Sequence, residues 1–183
     1  PGTSPVLPSR KHRRGHMKDR YNVLFVCTGN SARSQMAEAL ANSLGKGRLR
    51  AFSAGSHPAG RVQPMALQVM ADAGLDVSVL RSKSWAEFAQ PGAPEMDLVI
   101  TVCDRAGGES CPVWPGQPIT AHWSIPDPVG VTGNPEQVHK AFLNTLLLLQ
   151  QRISLLLSLR MEGLDRLAAE TKLRQISEVP TTA

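Results

Sequence analysis

The chain is poor in aromatic residues, poor in cysteine, and free of any long uninterrupted apolar run. Aromatics make up 4% of the 183 residues, and Tyr21 is the one tyrosine. With 42% of residues hydrophobic, a core must be built mainly from aliphatic side chains. The length suits one α/β domain around one core. Three cysteines are an odd number and a poor disulfide framework. None of them stands in a CxxC pair, which argues against structural zinc. In a cytoplasmic setting so few thiols are expected to be either reactive groups or inert core residues. The apolar run Tyr21 to Val26 is too short for a secretory signal core or a bilayer span. The leucine-rich stretch near the C-terminus is interrupted by Gln150, Gln151 and Arg152, so no membrane partner is expected.

Charge is also scarcer than it looks. The chain carries 20 Lys+Arg against 15 Asp+Glu, a formal +5. Four of the cations, Arg10, Lys11, Arg13 and Arg14, fall in residues 1–16, which contain no acid. That segment, with Gly15-His16-Met17 at its end, reads as an expression tag or a disordered leader, the competing reading being a native basic arm. Without it the excess falls to +1, too little to support a nucleic-acid partner.

From Met17 onward, strand and helix patterns alternate. Tyr21 to Val26 reads as a strand covered on both faces. Ser34 to Leu44 reads as a helix with Met36, Ala37, Leu40, Ala41 and Leu44 on one stripe. Strands are expected at Leu49–Ser53, Asp97–Val102 and Ile119–Trp123, and a loop at Ala54–Val62. Pro64 opens a helix to about Ala73, and Trp85–Ala89 forms a short one. Asn134-Pro135 is a helix start of N-cap and first-turn proline, followed by Phe142, Leu146, Leu149, Ile153, Leu156 and Leu157. The chemistry-bearing domain is thus expected over 17–159. Residues 160–183 are left as a helical extension, with a possible part in dimerisation, or a disordered tail. The alternation predicts a parallel sheet in a three-layer α/β/α sandwich, with ligands at the carboxyl ends of the strands. Cys27, Cys103 and the loop after Trp123 all fall at such ends.

The segment Cys27-Thr28-Gly29-Asn30-Ser31-Ala32-Arg33-Ser34 follows a strand and opens a helix. Its small residues let backbone N–H groups turn inward beside the positive end of the helix. Arg33 adds a guanidinium fork suited to two-point binding of an oxyanion. The same field should lower the Cys27 pKa, so a thiolate is expected at neutral pH with Ser34 donating to its sulfur. A thiolate beneath a tetrahedral oxyanion is placed for in-line attack on phosphorus or arsenic.

These residues resemble the phosphate-binding loop of the low-molecular-weight protein tyrosine phosphatases and of the arsenate reductases that share their fold. The resemblance runs from about Tyr21 to Leu159 and implies a four-stranded parallel sheet with helices on both sides. The family's Asp-Pro is matched by Asp127-Pro128, whose carboxyl would protonate a leaving oxygen. Both branches begin with thiolate attack; a reductase needs further thiols to resolve the adduct. Cys103 and Cys111 supply them, in a relay from Cys27 to Cys103 and then from Cys103 to Cys111. The phosphatase branch usually presents paired tyrosines ahead of the aspartate; this chain has Trp114 there instead. His122 is read as structural. Ala32 stands where phosphatases of this fold usually have a second loop cysteine, and the Cys103–Cys111 spacing is one residue longer than in well-known thioredoxin-coupled members.

The resemblance therefore implies arsenate as substrate, with phosphate or sulfate as competing anions. The implied reductant is thioredoxin, or glutathione with glutaredoxin, and no metal or organic cofactor is required. A phosphatase of phosphotyrosine or small phosphate esters is the alternative, and a non-catalytic oxyanion-binding module a third. Some reductases of this family bind potassium beside the loop. Asn30, Glu38 and Ser53 fit that pattern, but Lys83 replaces the expected acid, and its ammonium is expected to substitute for the ion.

Overall fold

A computed structural model describes residues 18–103, 112–161 and 165–180. Four strands, β1 (Tyr21–Cys27), β2 (Leu49–Gly55), β3 (Leu98–Thr101) and β4 (Ile119–His122), form one parallel sheet in the order β2-β1-β3-β4. The helices are α1 (Arg33–Leu44), α2 (Pro64–Asp72), α3 (Pro135–Ser158) and α4 (Arg166–Glu178), with a 3-10 turn at Trp85–Phe88. The chain leaves β1 for β2 on one side and later returns to pair β3 on the other. The carboxyl end of β1 is therefore the switch point where an open α/β sheet leaves a crevice. Cys27 is its last residue.

Burial explains why these segments are strands. Val23, Leu24, Phe25 and Val26 are fully buried and point to alternate faces, and all four residues of β3 are buried. Each large apolar side chain so buried contributes roughly 1.5–3 kcal/mol. On one face α1 packs against α3 and α2 against α3. On the other the 3-10 turn covers β2, with Phe88 and Phe52 rings 5.5 Å apart. The α3 helix is long and apolar enough to span a bilayer by length and composition. Its Phe142, Leu146, Leu149, Ile153 and Leu156 are instead buried in this core.

Several boundaries differ from the sequence reading for local reasons. Strand β2 runs on to Gly55, where a loop was expected, because Ala54 and Gly55 pair with Val26 and Cys27 and the Gly55 N–H donates to the Lys83 carbonyl at 2.9 Å. Strands β3 and β4 are shorter than expected. Helix α1 begins one residue earlier, at Arg33. Beyond residue 160 the described chain does not extend α3: it turns back as α4, capped by Asp165, and buries Ala169, Leu173 and Ile176 against the domain.

Asn134 caps α3 as its type and position suggest. Its side chain accepts from the Gln137 N–H at 2.8 Å, and the Gln137 side chain accepts from the Asn134 N–H at 2.9 Å, a reciprocal pair closing the first turn. Asn134→Ala is expected to lower the unfolding free energy by about 1 kcal/mol. Urea denaturation of the two proteins checks this, with a shifted midpoint at unchanged slope as the expected outcome.

Candidate active site

Between β1 and α1 the chain makes a tight loop whose carbonyls point outward. The carbonyls of Cys27, Thr28, Gly29 and Ser31 accept the N–H groups of Ser56, His57, Ala59 and Gln63 at 3.3, 2.9, 2.9 and 2.8 Å. With those oxygens turned to the 56–63 segment, the loop's amides are left free to face its interior. Asn30 shows it directly, donating its N–H to the Cys27 sulfur at 3.1 Å. Gly55 lies just behind the loop: a Cβ there would stand 2.5 Å from the Thr28 carbonyl oxygen and 2.9 Å from the Asn30 nitrogen. Close backbone approach, rather than turn formation, is what requires glycine at this strand end.

Asn30 is the hinge of the loop. Its φ of 44° is left-handed, a conformation asparagine tolerates better than most residues. Its side-chain amide donates to Ser34 Oγ at 2.8 Å and Ser53 Oγ at 3.0 Å. Its side-chain oxygen accepts from the Lys83 N–H at 2.9 Å and Gln35 Nε2 at 3.0 Å. Ser34 Oγ in turn lies 2.8 Å from the Cys27 sulfur, as expected. Sequence reading missed Gln35, whose Nε2 also reaches the Asn30 and Arg81 carbonyls. On the sequence it looks like an ordinary polar helix residue, and only its complete burial marks it.

The cavity inside the loop, about 200 Å³, is lined by Cys27, Thr28, Gly29, Ser31, Ala32, Arg33, Asp127 and Val129. Arg33 reaches across it. One terminal nitrogen lies 3.4 Å from an Asp127 carboxylate oxygen, and the other donates to the Ile125 carbonyl at 3.1 Å. A cation, a carboxyl group and a thiol thus share one small opening. Cys103, buried just beyond the end of β3, does not line this opening but packs beside the loop, its sulfur 3.6 Å from Thr28 Oγ1. Cys111 lies outside the described residues. Trp114 does not line the cavity; it is buried with its ring edge-on to Trp85, centroids 6.4 Å apart. His122 Nδ1 sits 2.6 Å from Thr101 Oγ1, away from the cavity, in line with a structural role.

A nucleophile-plus-arginine loop of this shape has known counterparts. The family described as low molecular weight phosphotyrosine protein phosphatase matches residues 22–171. The chain belongs to that family. Among its relatives, the glutaredoxin arsenate reductase of Synechocystis sp. is 39% identical over 108 residues, covering 59% of this chain and 79% of the relative. Arsenate reductase 2 of Staphylococcus epidermidis is 35% identical over 112 residues, covering 61% and 82%. A solved structure described as an arsenate reductase in the phosphate binding state superimposes with a TM-score of 0.62 at 32% identity, over 75% of this chain and 97% of that one.

Beside the loop, where the sequence suggested the potassium site of some reductases with Lys83 in place of an acid, the lysine side chain lies against Glu38 and Ser53. Lys83 Nζ, buried, lies 3.4 Å from Glu38 Oε2 and 3.3 Å from Ser53 Oγ, and donates to the Arg81 carbonyl at 3.0 Å. Ser53 Oγ donates to Glu38 at 2.5 Å. The ammonium occupies the oxygen cage that Asn30, Glu38 and Ser53 suggested for potassium, so these residues do not fit a bound ion. Burial lowers the Lys83 pKa and Glu38 opposes that shift. Lys83→Met would leave Glu38 buried without its partner, at a cost of about 3 kcal/mol. The wild-type melting temperature is expected to be the same in potassium as in sodium chloride at equal ionic strength. A potassium-specific rise would show that an ion binds after all.

The Cys27 thiol differs from its sequence expectation. Burial pushes its pKa up from the ordinary value, which outweighs the opposing hydrogen bonds from Ser34 and Asn30; the neighbouring Cys103 pushes the same way. Arg33 does not reverse this, because its terminal nitrogens are directed at Asp127 and Ile125. A thiol that ionises at higher pH when folded contributes stability that is whole below its unfolded value of about 8.5 and is lost as pH rises towards the folded value. Wild type should accordingly lose stability above pH about 8.5 relative to Cys27→Ser. In anion-free buffer, iodoacetamide labelling of Cys27 should have its midpoint above that pH; a midpoint near 6 would mean that loop dipoles outweigh burial.

Proposed function

We propose that this chain is an arsenate reductase in which Cys27 is the nucleophile and Cys103 resolves the adduct. The observation that carries the reading is the second buried thiol, Cys103, packed beside the same loop with its sulfur 3.6 Å from Thr28 Oγ1. Hydrolysis of a phosphocysteine needs no such group. The arsenate reductases among its relatives support the same choice of branch.

Arsenate binds against the amides of Thr28, Gly29, Ser31, Ala32 and Arg33, with the Arg33 guanidinium across its outer oxygens, while the amides of Asn30 and Ser34, expected to join them, are turned to the Cys27 sulfur. The bound dianion takes the proton of the Cys27 thiol, and the sulfur attacks arsenic as oxygen leaves. Asp127, 3.4 Å from Arg33, gives that oxygen its proton so that it departs as water. The Cys103 thiolate then attacks the Cys27 sulfur. A Cys27–Cys103 disulfide forms, the sulfur–arsenic electron pair stays on arsenic, and arsenite leaves reduced by two electrons. Cys111 attacks Cys103, frees Cys27, and leaves a Cys103–Cys111 disulfide for an external dithiol to reduce. Two resolving thiols favour thioredoxin as that reductant. Glutathione with glutaredoxin is the second reading, favoured by the glutaredoxin-named relative. Both belong to a reducing, cytoplasmic compartment.

Single-turnover chemistry tests this without a reductant. Fully reduced protein mixed with arsenate should release one arsenite per chain and lose two titratable thiols. Cys103→Ser should release none while still binding phosphate. A protein that hydrolyses an aryl phosphate at the same rate with or without Cys103, and releases no arsenite, is a phosphatase.

A further inference from the structure

The root of the Asp127 loop is held by a helix that no part of the reaction uses. Trp123, Ser124 and Ile125 lead from β4 towards Asp127; the Trp123 N–H donates to the Thr101 carbonyl at 2.8 Å, and three further hydrogen bonds anchor the segment. The Ile125 carbonyl accepts from Arg33 at 3.1 Å. The other two anchors come from α4: the Trp123 indole N–H donates to the Leu173 carbonyl at 3.1 Å, and the Ser124 N–H to Ser177 Oγ at 3.4 Å. Both Leu173 and Ser177 lie beyond residue 171, where the family match ends.

Ser177 is itself fixed from behind. Arg152, buried on α3, donates Nη1 to Ser177 Oγ at 3.0 Å. Its Nε has no hydrogen-bond partner and none of the described ion pairs includes it. A buried guanidinium with so little else to bind holds that oxygen firmly, since losing the bond would strand a desolvated charge. At the other end of α4, Arg166 donates to the Gln117 and Pro118 carbonyls at 2.8 and 2.9 Å, tying the helix to the start of β4. The helix thus spans β4 from its first residues to the loop that follows it. Trp123 is wholly buried, so its indole N–H has no water to turn to if the Leu173 carbonyl is withdrawn.

We propose that α4 is a positioning element for proton delivery, acting through Ser177 and the Leu173 carbonyl on the Trp123–Asp127 segment. The proposal rests on the assignment of Asp127 as the acid in the reductase reading. Asp127 itself is half exposed, and among the described residues its carboxylate is held by the Arg33 contact and by the Val129 N–H at 3.1 Å. Its distance from the leaving oxygen is therefore set by where the chain before it is anchored. Ser177 touches neither arsenate nor a reacting thiol, so it is a positioning residue and not a catalytic one.

The test is the single-turnover rate of arsenite release at saturating arsenate, in full-length protein, for wild type, Ser177→Ala, Ser177→Thr, Asp127→Asn and the Asp127→Asn/Ser177→Ala double variant. Misplacement of a catalytic group by a fraction of an ångström predicts roughly a tenfold slowing in Ser177→Ala. Ser177→Thr keeps the hydroxyl and should stay within about twofold of wild type. In the Asp127→Asn background Ser177→Ala should add nothing, because the group it positions is gone. Equal slowing in both backgrounds would make Ser177 a general packing residue and overturn the proposal, as would a Ser177→Ala rate matching wild type. If Asp127→Asn alone runs at the wild-type rate, the acid assignment fails and the positioning role fails with it. A slow Asp127→Asn beside an unaffected Ser177→Ala overturns only the role of the helix.

Discussion

The site depends on the left-handed turn at Asn30. That residue carries the loop from the end of β1 into α1, and a φ of 44° is sustained because both ends of its amide are bonded to buried groups. Through Ser34 it touches the nucleophile, through Ser53 the Lys83–Glu38 pair, and through the Lys83 backbone the segment beyond β2. Strain at one residue is offset by a network in which every neighbour has a second attachment. The sulfur, the amide array and the internal cation are consequently parts of one rigid body. Arg33 and Asp127 face it from its open side.

This arrangement separates rigid from adjustable chemistry. The anion cradle is built of backbone, braced by the four carbonyl bonds to residues 56–63 and by the Gly55 approach. Asp127 and Cys103 come from the connections that follow two other strands. A cradle for any tetrahedral oxyanion can thus serve hydrolysis or reduction, depending on what the neighbouring connections bring to it. This is consistent with one family holding both phosphatases and reductases, and it places the choice of reaction outside the loop.

Much of this was legible in the sequence. Apolar runs of strand length, helix-period stripes and Gly/Pro punctuation placed all four strands and three helices to within a few residues. Small residues between Cys27 and Arg33 identified the cradle, and Lys83 stood out against its expected acid. The rest was hidden for definite reasons. Gly55 reads as a breaker because the backbone it must approach is 25 residues away in sequence. The 56–63 brace acts through main-chain groups that leave no mark on side-chain identity. The burial that raises the Cys27 pKa was not legible, because helix dipoles and a neighbouring arginine can be read from a motif, whereas burial and the direction in which Arg33 points cannot. The charged composition after Arg160 concealed α4, whose three buried residues, Ala169, Leu173 and Ile176, are too few to announce a helix packed on the core. The relay's last thiol, Cys111, lies outside the described residues.

The burial of Cys27 has a consequence for its survival under oxidative stress. Oxidants and electrophiles attack thiolates far faster than thiols, and the first oxidised product is lost for good once it passes to the sulfinic acid. Burial that raises the Cys27 pKa reduces the share of thiolate open to such attack. The burial that makes Cys27 a slower nucleophile at rest thereby keeps it available for turnover.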